Sequence, residues 1–165
     1  RGDLDALVVE AVMAEVKLPR ERSDWQHDVR GIVEATWRTV RCHPNVIPLV
    51  LTRRTLHETT LDWAEALLRA LARSGRSGVG LLVAFRTVSG FVMGFAQAQL
   101  SDPLAPDENQ QGEHLDEKHQ DVARAQALPA DRFPHLIEIA GAAAKLGADK
   151  EFRAGLDIVM AGLAR

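Results

Sequence analysis

Arg86 is the residue whose setting most demands a chemical explanation. It stands in GVGLLVAFRTVSGFVMGFAQAQL, the stretch from Gly78 to Leu100, beside Val83, Phe85, Val88 and Phe91. A guanidinium in that company is expected to be partly desolvated, and a buried charge without a partner is not tolerated. Two readings stay open: an internal salt bridge to Asp62, Glu65 or Glu138, or an anchor for a polar or anionic group on a bound ligand. Arg53-Arg54, just before Leu56-His57, would line a pocket mouth or end a helix in solvent. Trp37 and Trp63 have apolar neighbours at helical spacing. Core packing is their default, although small-molecule pockets use the same aromatic walls.

Catalytic patterns are sparse. The chain has no nucleophile elbow, no phosphate-cradling glycine loop and no C-x-x-C. Gly90 and Gly94 form a small-xxx-small pair, a spacing that lets two helices approach closely. His114, Glu117 and His119 lie near one another but lack the His-x-x-x-His spacing of a helical zinc site, so solvated surface is expected. His27, His43 and His57 are scattered helix-end or core-edge residues. No catalytic residue, metal or cofactor is therefore expected. A helical enzyme around Arg86, His57 and Glu58 stays as an alternative without an acid–base pair to support it. A protein-interaction module with no pocket is the other alternative.

The elements that must position these residues read as all-helical. Leu4, Leu7, Val8, Val12 and Val16 repeat at helical spacing, with Asp3 as N-cap and Pro19 as the stop. Ser23 with Gln26 resembles a capping box. It opens a helix bearing Trp25, Val29, Ile32, Val33, Trp37 and Val40, ended by Cys42-His43-Pro44. A short apolar run follows from Val46 to Leu51. Leu56–Leu71 is the next helix, with Leu61, Ala64, Leu67, Leu68 and Leu71 inward and Gly75 as its C-terminal cap. Ser77 then caps the long apolar helix. From Ser101 to Arg132 polar residues dominate, which predicts a mobile loop or insertion with a weak helix from Leu115 to Leu128. A small-residue helix runs from Phe133-Pro134 to Leu146. Asp149 caps a last helix with Phe152, Leu156, Val159, Met160 and Leu163 on its apolar face.

The chain has 165 residues, a net charge of −3 and a single cysteine, Cys42. One domain is the default at this length. The balance is not basic, so nucleic-acid binding by this segment itself is not expected. A lone cysteine fits a reducing cytoplasm. The chain opens RGDLD, without an initiating Met or a signal peptide, so residues upstream are expected. The Gly78–Leu100 stretch is long enough to span a bilayer. However, an Arg at mid-helix costs about 3 kcal/mol or more there, and four glycines, Gln97 and Gln99 dilute it. Burial in a core or against a second chain is expected instead of a membrane.

These segments resemble the C-terminal, ligand-binding and dimerisation part of TetR-type transcriptional regulators, with the tetracycline-repressor subgroup the nearest. Leu4-Asp5-Ala6-Leu7 resembles the start of the helix connecting to that family's DNA-binding head. Asp24-Trp25-Gln26 is similar to the opening of the next helix. Ser74-Gly75, followed by a long apolar helix with Val88-Ser89 and Gly94, resembles the dimer helix. Phe152-Arg153-Ala154-Gly155-Leu156-Asp157, ending in Gly162-Leu163, resembles the terminal helix.

The resemblance implies an all-α domain over residues 1–165, with 1–18 as connecting helix and the helix-turn-helix head lying upstream of Arg1. It implies a homodimer held by a four-helix bundle, with Gly90, Gly94, Leu156 and Met160 at the seam. It implies a small-molecule effector between the helices starting near Ser23, Leu56 and Ser77. Trp37, Trp63 and Phe85 would be walls, and Arg53, His57, Arg86 and Ser89 polar contacts. Binding would tilt the connecting helix and release operator DNA held by the upstream head, as a cytoplasmic repressor would. The subgroup's drug and magnesium ligands do not carry over. Val50-Leu51 stands ahead of Thr52-Arg53 where a metal-binding His is expected, Ala98 replaces a Glu, and Val16 replaces a drug-contacting His. A largely apolar effector is implied in place of magnesium–tetracycline.

Overall fold

The computed structural model describes residues 2–52, 57–101 and 122–165, with side chains over 4–49, 57–99 and 122–165. Among these residues every regular element is helical. They form two compact units. One runs to Gln97 and includes Leu156–Arg165, and the other lies within Ala98–Gly155.

The first unit opens with α1 (Gly2–Ala14). The helix is already under way at Gly2, so Asp3 is not its N-cap. Its buried stripe is Val9, Val12, Met13 and Val16, whereas Leu4, Leu7 and Val8 are exposed. The expected stripe thus holds at Val12 and Val16 and fails at Leu4, Leu7 and Val8, because α1 has apolar residues on two adjoining sides and spacing alone does not choose between them. The helix α2 (Trp25–Cys42) is capped by Asp24, whose side chain accepts from the Gln26 N–H at 2.9 Å. That places the cap one residue beyond the expected Ser23. Its expected face holds at Val29, Ile32, Val33, Trp37 and Val40, which are buried together with Thr36, while Trp25 is half-buried.

A 3-10 turn at Pro44–Val46 leads into α3 (Ile47–Thr52), then α4 (Glu58–Ala72). On α4 the inward residues are Trp63, Leu67, Ala70 and Leu71, while Leu61 is exposed. Gly75 follows at φ 88°, a left-handed conformation that glycine adopts without Cβ strain. The long helix α5 spans Gly78–Ser101. Helix α1 packs on α2, α3 and α4, and α2 packs along α4. Arg76, just before α5, donates to the Leu163 carbonyl at 2.5 Å. Arg30 of α2 meets Asp157 at 2.5 Å.

The second unit contains a helical turn at 122–126, α6 (Pro134–Ala143) and the first half of α7 (Ala148–Leu163). Ala140, Ala148 and Phe152 are its buried residues. Part of the predicted polar insertion is thus helical at 122–126. His114, Leu115, Glu117 and His119 lie outside the described residues.

Candidate functional site

Aromatic side chains from three helices meet in the first unit. Trp37 of α2 stands edge-on to Phe95 of α5, with ring centroids 5.2 Å apart. Trp63 of α4 faces Phe85 of α5 at 6.2 Å, and Phe91 lies 6.0 Å from Phe95. Both Trp residues are buried, whereas Phe85, Phe91 and Phe95 are half-buried. The indole N–H of Trp63 donates to Thr36 Oγ1 at 2.8 Å, and the Thr36 hydroxyl donates to the Ile32 carbonyl at 2.8 Å. A buried indole without an acceptor would be costly, so Thr36 is what lets α4 present Trp63 inward.

The helices predicted to enclose a pocket are therefore the ones whose aromatics converge, with Trp37, Trp63 and Phe85 all included. Thr36 and Phe95 were not singled out from sequence. A Thr next to a Trp on a buried stripe is the signal for the first, and Phe95, a turn beyond Phe91, for the second.

The polar residues divide differently. Ser89 shares a stripe with Phe85, but its hydroxyl turns back onto the Phe85 carbonyl at 2.7 Å. His57, at the N-cap of α4, directs Nδ1 to Glu10 Oε2 of α1 at 3.3 Å, so its ring is committed to the first helix. Arg53 lies outside the described residues.

Arg86 corrects the sequence expectation. It is exposed, and among the described residues it makes no ion pair with Asp62, Glu65 or Glu138. The buried line of α5 is Ala84, Val88, Val92 and Ala96. At about 100° per residue, Arg86 sits roughly 200° from both Ala84 and Val88. It shares the open face with Val79, Leu82, Val83, Gly90 and Gly94, all exposed.

Apart from Arg86 that face is apolar, and among the described residues it is uncovered. Within Gly78–Gln99 the buried residues are Ala84, Val88, Val92 and Ala96 alone among the described residues. Among the described residues, a Cβ built on Gly80, Gly90 or Gly94 would meet nothing within 4 Å. On α7, Ile158 is 76% exposed, whereas Leu156 and Met160 are 0% and 1% exposed. Leu156 and Met160, expected at a dimer seam, instead point into the protomer. They lie two residues either side of Ile158, about 200° around the helix.

A third constellation gave no signal in the sequence. Asp28 is buried, with Oδ2 accepting from the Arg22 N–H at 2.8 Å and from Arg73 Nη2 at 2.5 Å. Arg73 also binds Glu21. Burial pushes the Asp28 carboxyl up. The Arg22 N–H, the bond and charge of Arg73, and the nearby His27 together outweigh it and hold the group below the usual aspartate value.

The architecture and the three-helix aromatic cluster can be set beside known proteins. The family described as "Tetracyclin repressor-like, C-terminal domain" matches residues 18–165. The chain belongs to this family. Among solved structures of TetR family proteins, ActR from Streptomyces coelicolor in complex with actinorhodin superposes with a TM-score of 0.78 at 27% identity. The superposition covers 99% of this chain and 75% of ActR. Apo ActR gives a TM-score of 0.77 with 74% of that protein covered. A curated HTH-type transcriptional regulator from Saccharopolyspora erythraea is 30% identical over 100 residues, which is 60% of this chain and 42% of that regulator. The matched part thus spans less than half of that regulator. In the tetracycline-repressor-like domain, then, α2, α4 and α5 carry the aromatic cluster, and α5 and α7 carry the exposed apolar face.

Proposed function

We propose that this domain is the effector-binding and dimerisation part of a ligand-responsive transcriptional regulator, acting in the cytoplasm. A planar, largely apolar effector would enter between α2, α4 and α5 and stack on Trp63 and Phe85, with Trp37 and Phe95 closing the far wall. The observation that carries this reading is the pair of ring contacts, Trp63–Phe85 and Trp37–Phe95, that α4 and α2 make to α5, with Trp63 fixed in place by Thr36. The complex of ActR with actinorhodin, ActR superposing on 99% of this chain, supports a small-molecule effector.

Release of operator DNA would pass through α1, which is held to α4 by Glu10–His57 and to the end of α2 by Glu15–His43 at 2.8 Å. Effector binding shifts a population only if the two α1 positions bind the effector with different affinity. The reading assigns repression to the DNA-bound state and induction to the effector-bound state.

We place the homodimer seam on the open face of α5 and α7, forming a four-helix bundle across a two-fold axis. Gly90 and Gly94 support this. Each costs a helix about 1 kcal/mol relative to Ala, and none of the described residues needs the space they leave. A closely approaching partner helix would. Val79, Leu82, Val83 and Ile158 supply the apolar area. The effector site is tested by calorimetric titration with actinorhodin in the wild type and in Phe85→Ala, which should lose at least tenfold in affinity. The seam is tested by sedimentation velocity, where a monomer at micromolar concentration would refute it.

A further inference from the structure

The only charged residue of α5 stands on its open face. Arg86 is exposed and pairs with no acid among the described residues. Leu82, Val83 and Gly90 lie within about 60° of it around the helix. Once a second chain covers that face, the guanidinium loses its water, and a buried charge without a counter-charge is not tolerated. A two-fold dimer presents the same patch from both chains. The acid that answers Arg86 must therefore lie on the seam itself.

We propose that Arg86 of each protomer pairs with the partner's Glu151, so that two equivalent ion pairs set the orientation of the dimer. The inference rests on the seam placed above on α5 and α7. Glu151 follows by elimination. Helix α5 has no Asp or Glu, and α7 has Asp149, Glu151 and Asp157. Asp157 is held by Arg30 at 2.5 Å. Asp149 is nine residues before Ile158, which puts it about 180° round the helix from that exposed residue. Glu151 is seven residues before Ile158, within about 20° of the same line. It is half-buried and has no partner of its own among the described residues. The levels also agree. The Arg76–Leu163 bond joins the start of α5 to the end of α7. From that junction Arg86 is ten residues along α5 and Glu151 twelve residues back along α7, about 15 and 18 Å. A long Arg side chain spans that difference. Such a pair adds little net stability, because both charges lose water. Its contribution is selectivity: a slipped or reversed dimer would bury both charges unpaired. A smooth apolar helix face is thereby given one register.

Charge reversal read by sedimentation velocity of the whole chain tests the pairing. Arg86→Glu and Glu151→Arg, each alone, set like charges together twice per dimer and should weaken dimerisation at least tenfold. An equimolar mixture of the two variants should form heterodimers with a dissociation constant within about threefold of the wild type. In that hybrid both cross-chain pairs again carry opposite charges. A pair formed within one chain cannot be repaired by mixing, and recovery in the mixture also shows that both variants are folded. The proposal is overturned if the mixture is no more dimeric than either variant alone, or if Glu151→Arg dimerises as tightly as the wild type. A monomeric wild type would refute the seam itself, whereas a dimeric wild type without recovery on mixing would refute the pairing alone.

Discussion

His57 Nδ1 lies 3.3 Å from Glu10 Oε2, joining the residue that opens α4 to the middle of α1. Six residues further along α4 stands Trp63, in contact with Phe85. An effector that displaces Trp63 or the first turn of α4 would therefore act on the helix whose N-terminal end is tied to α1. Glu15–His43 provides the parallel tie from α1 to the end of α2.

Glu10→Gln should separate binding from response. Both side chains are about a third exposed (33% and 37%), so the pair is worth at most about 1 kcal/mol. Actinorhodin affinity should stay within about twofold. The concentration that releases operator DNA from the full-length protein should shift by about two- to fivefold. Fluorescence anisotropy of labelled operator reads the second quantity. An unchanged release curve would remove Glu10 from the coupling route.

Thr36→Val keeps the side-chain shape but strands the Trp63 indole N–H. The expected loss is about 1–3 kcal/mol in urea denaturation, and Thr36→Ser should recover most of it. A Thr36→Val protein as stable as wild type would mean that Trp63 has another acceptor.

Gly94→Leu probes the proposed seam. The position faces open space in the protomer, so helix content by circular dichroism should be preserved and sedimentation should move from dimer to monomer. Gly94→Ala discriminates further. In an isolated protomer it should stabilise the helix by about 1 kcal/mol, whereas in a close-packed seam it weakens the dimer. A fully dimeric Gly94→Leu would place the interface elsewhere.

Acid should unlock Asp28. Its folded-state pKa is depressed, so its stabilisation is fully present above the unfolded aspartate value of about 3.9 and is lost as pH falls through the folded value. Stability measured by denaturation should therefore drop steeply below about pH 4. In Asp28→Asn that limb should be shallower, and stability at neutral pH lower by roughly 2–4 kcal/mol. An acid limb identical in both proteins would show that other carboxylates dominate.

Much of this arrangement is written in amphipathic spacing. The α2 stripe of Val29, Ile32, Val33, Trp37 and Val40 is apolar on one side only, so its buried face follows from period alone. Phe152, Leu156 and Met160 behave the same way on α7. Where both sides are apolar the period is mute. Leu4, Leu7 and Val8 compete with Val9, Val12 and Met13 on α1, and α5 is apolar almost all round. That is why Arg86 was expected inward and lies outward. Asp28 escaped for a different reason. In sequence it is one more acid in a helix's first turn, and its partner Arg73 is 45 residues away. No local pattern encodes that meeting.

The account rests most heavily on the aromatic cluster being an effector site. Isothermal titration calorimetry with actinorhodin, run on the wild type and on Trp63→Leu, addresses it directly. The account predicts one saturable site per protomer at micromolar affinity, weakened at least tenfold by Trp63→Leu. No saturable heat in the wild type, or equal affinity in the two proteins, would contradict it.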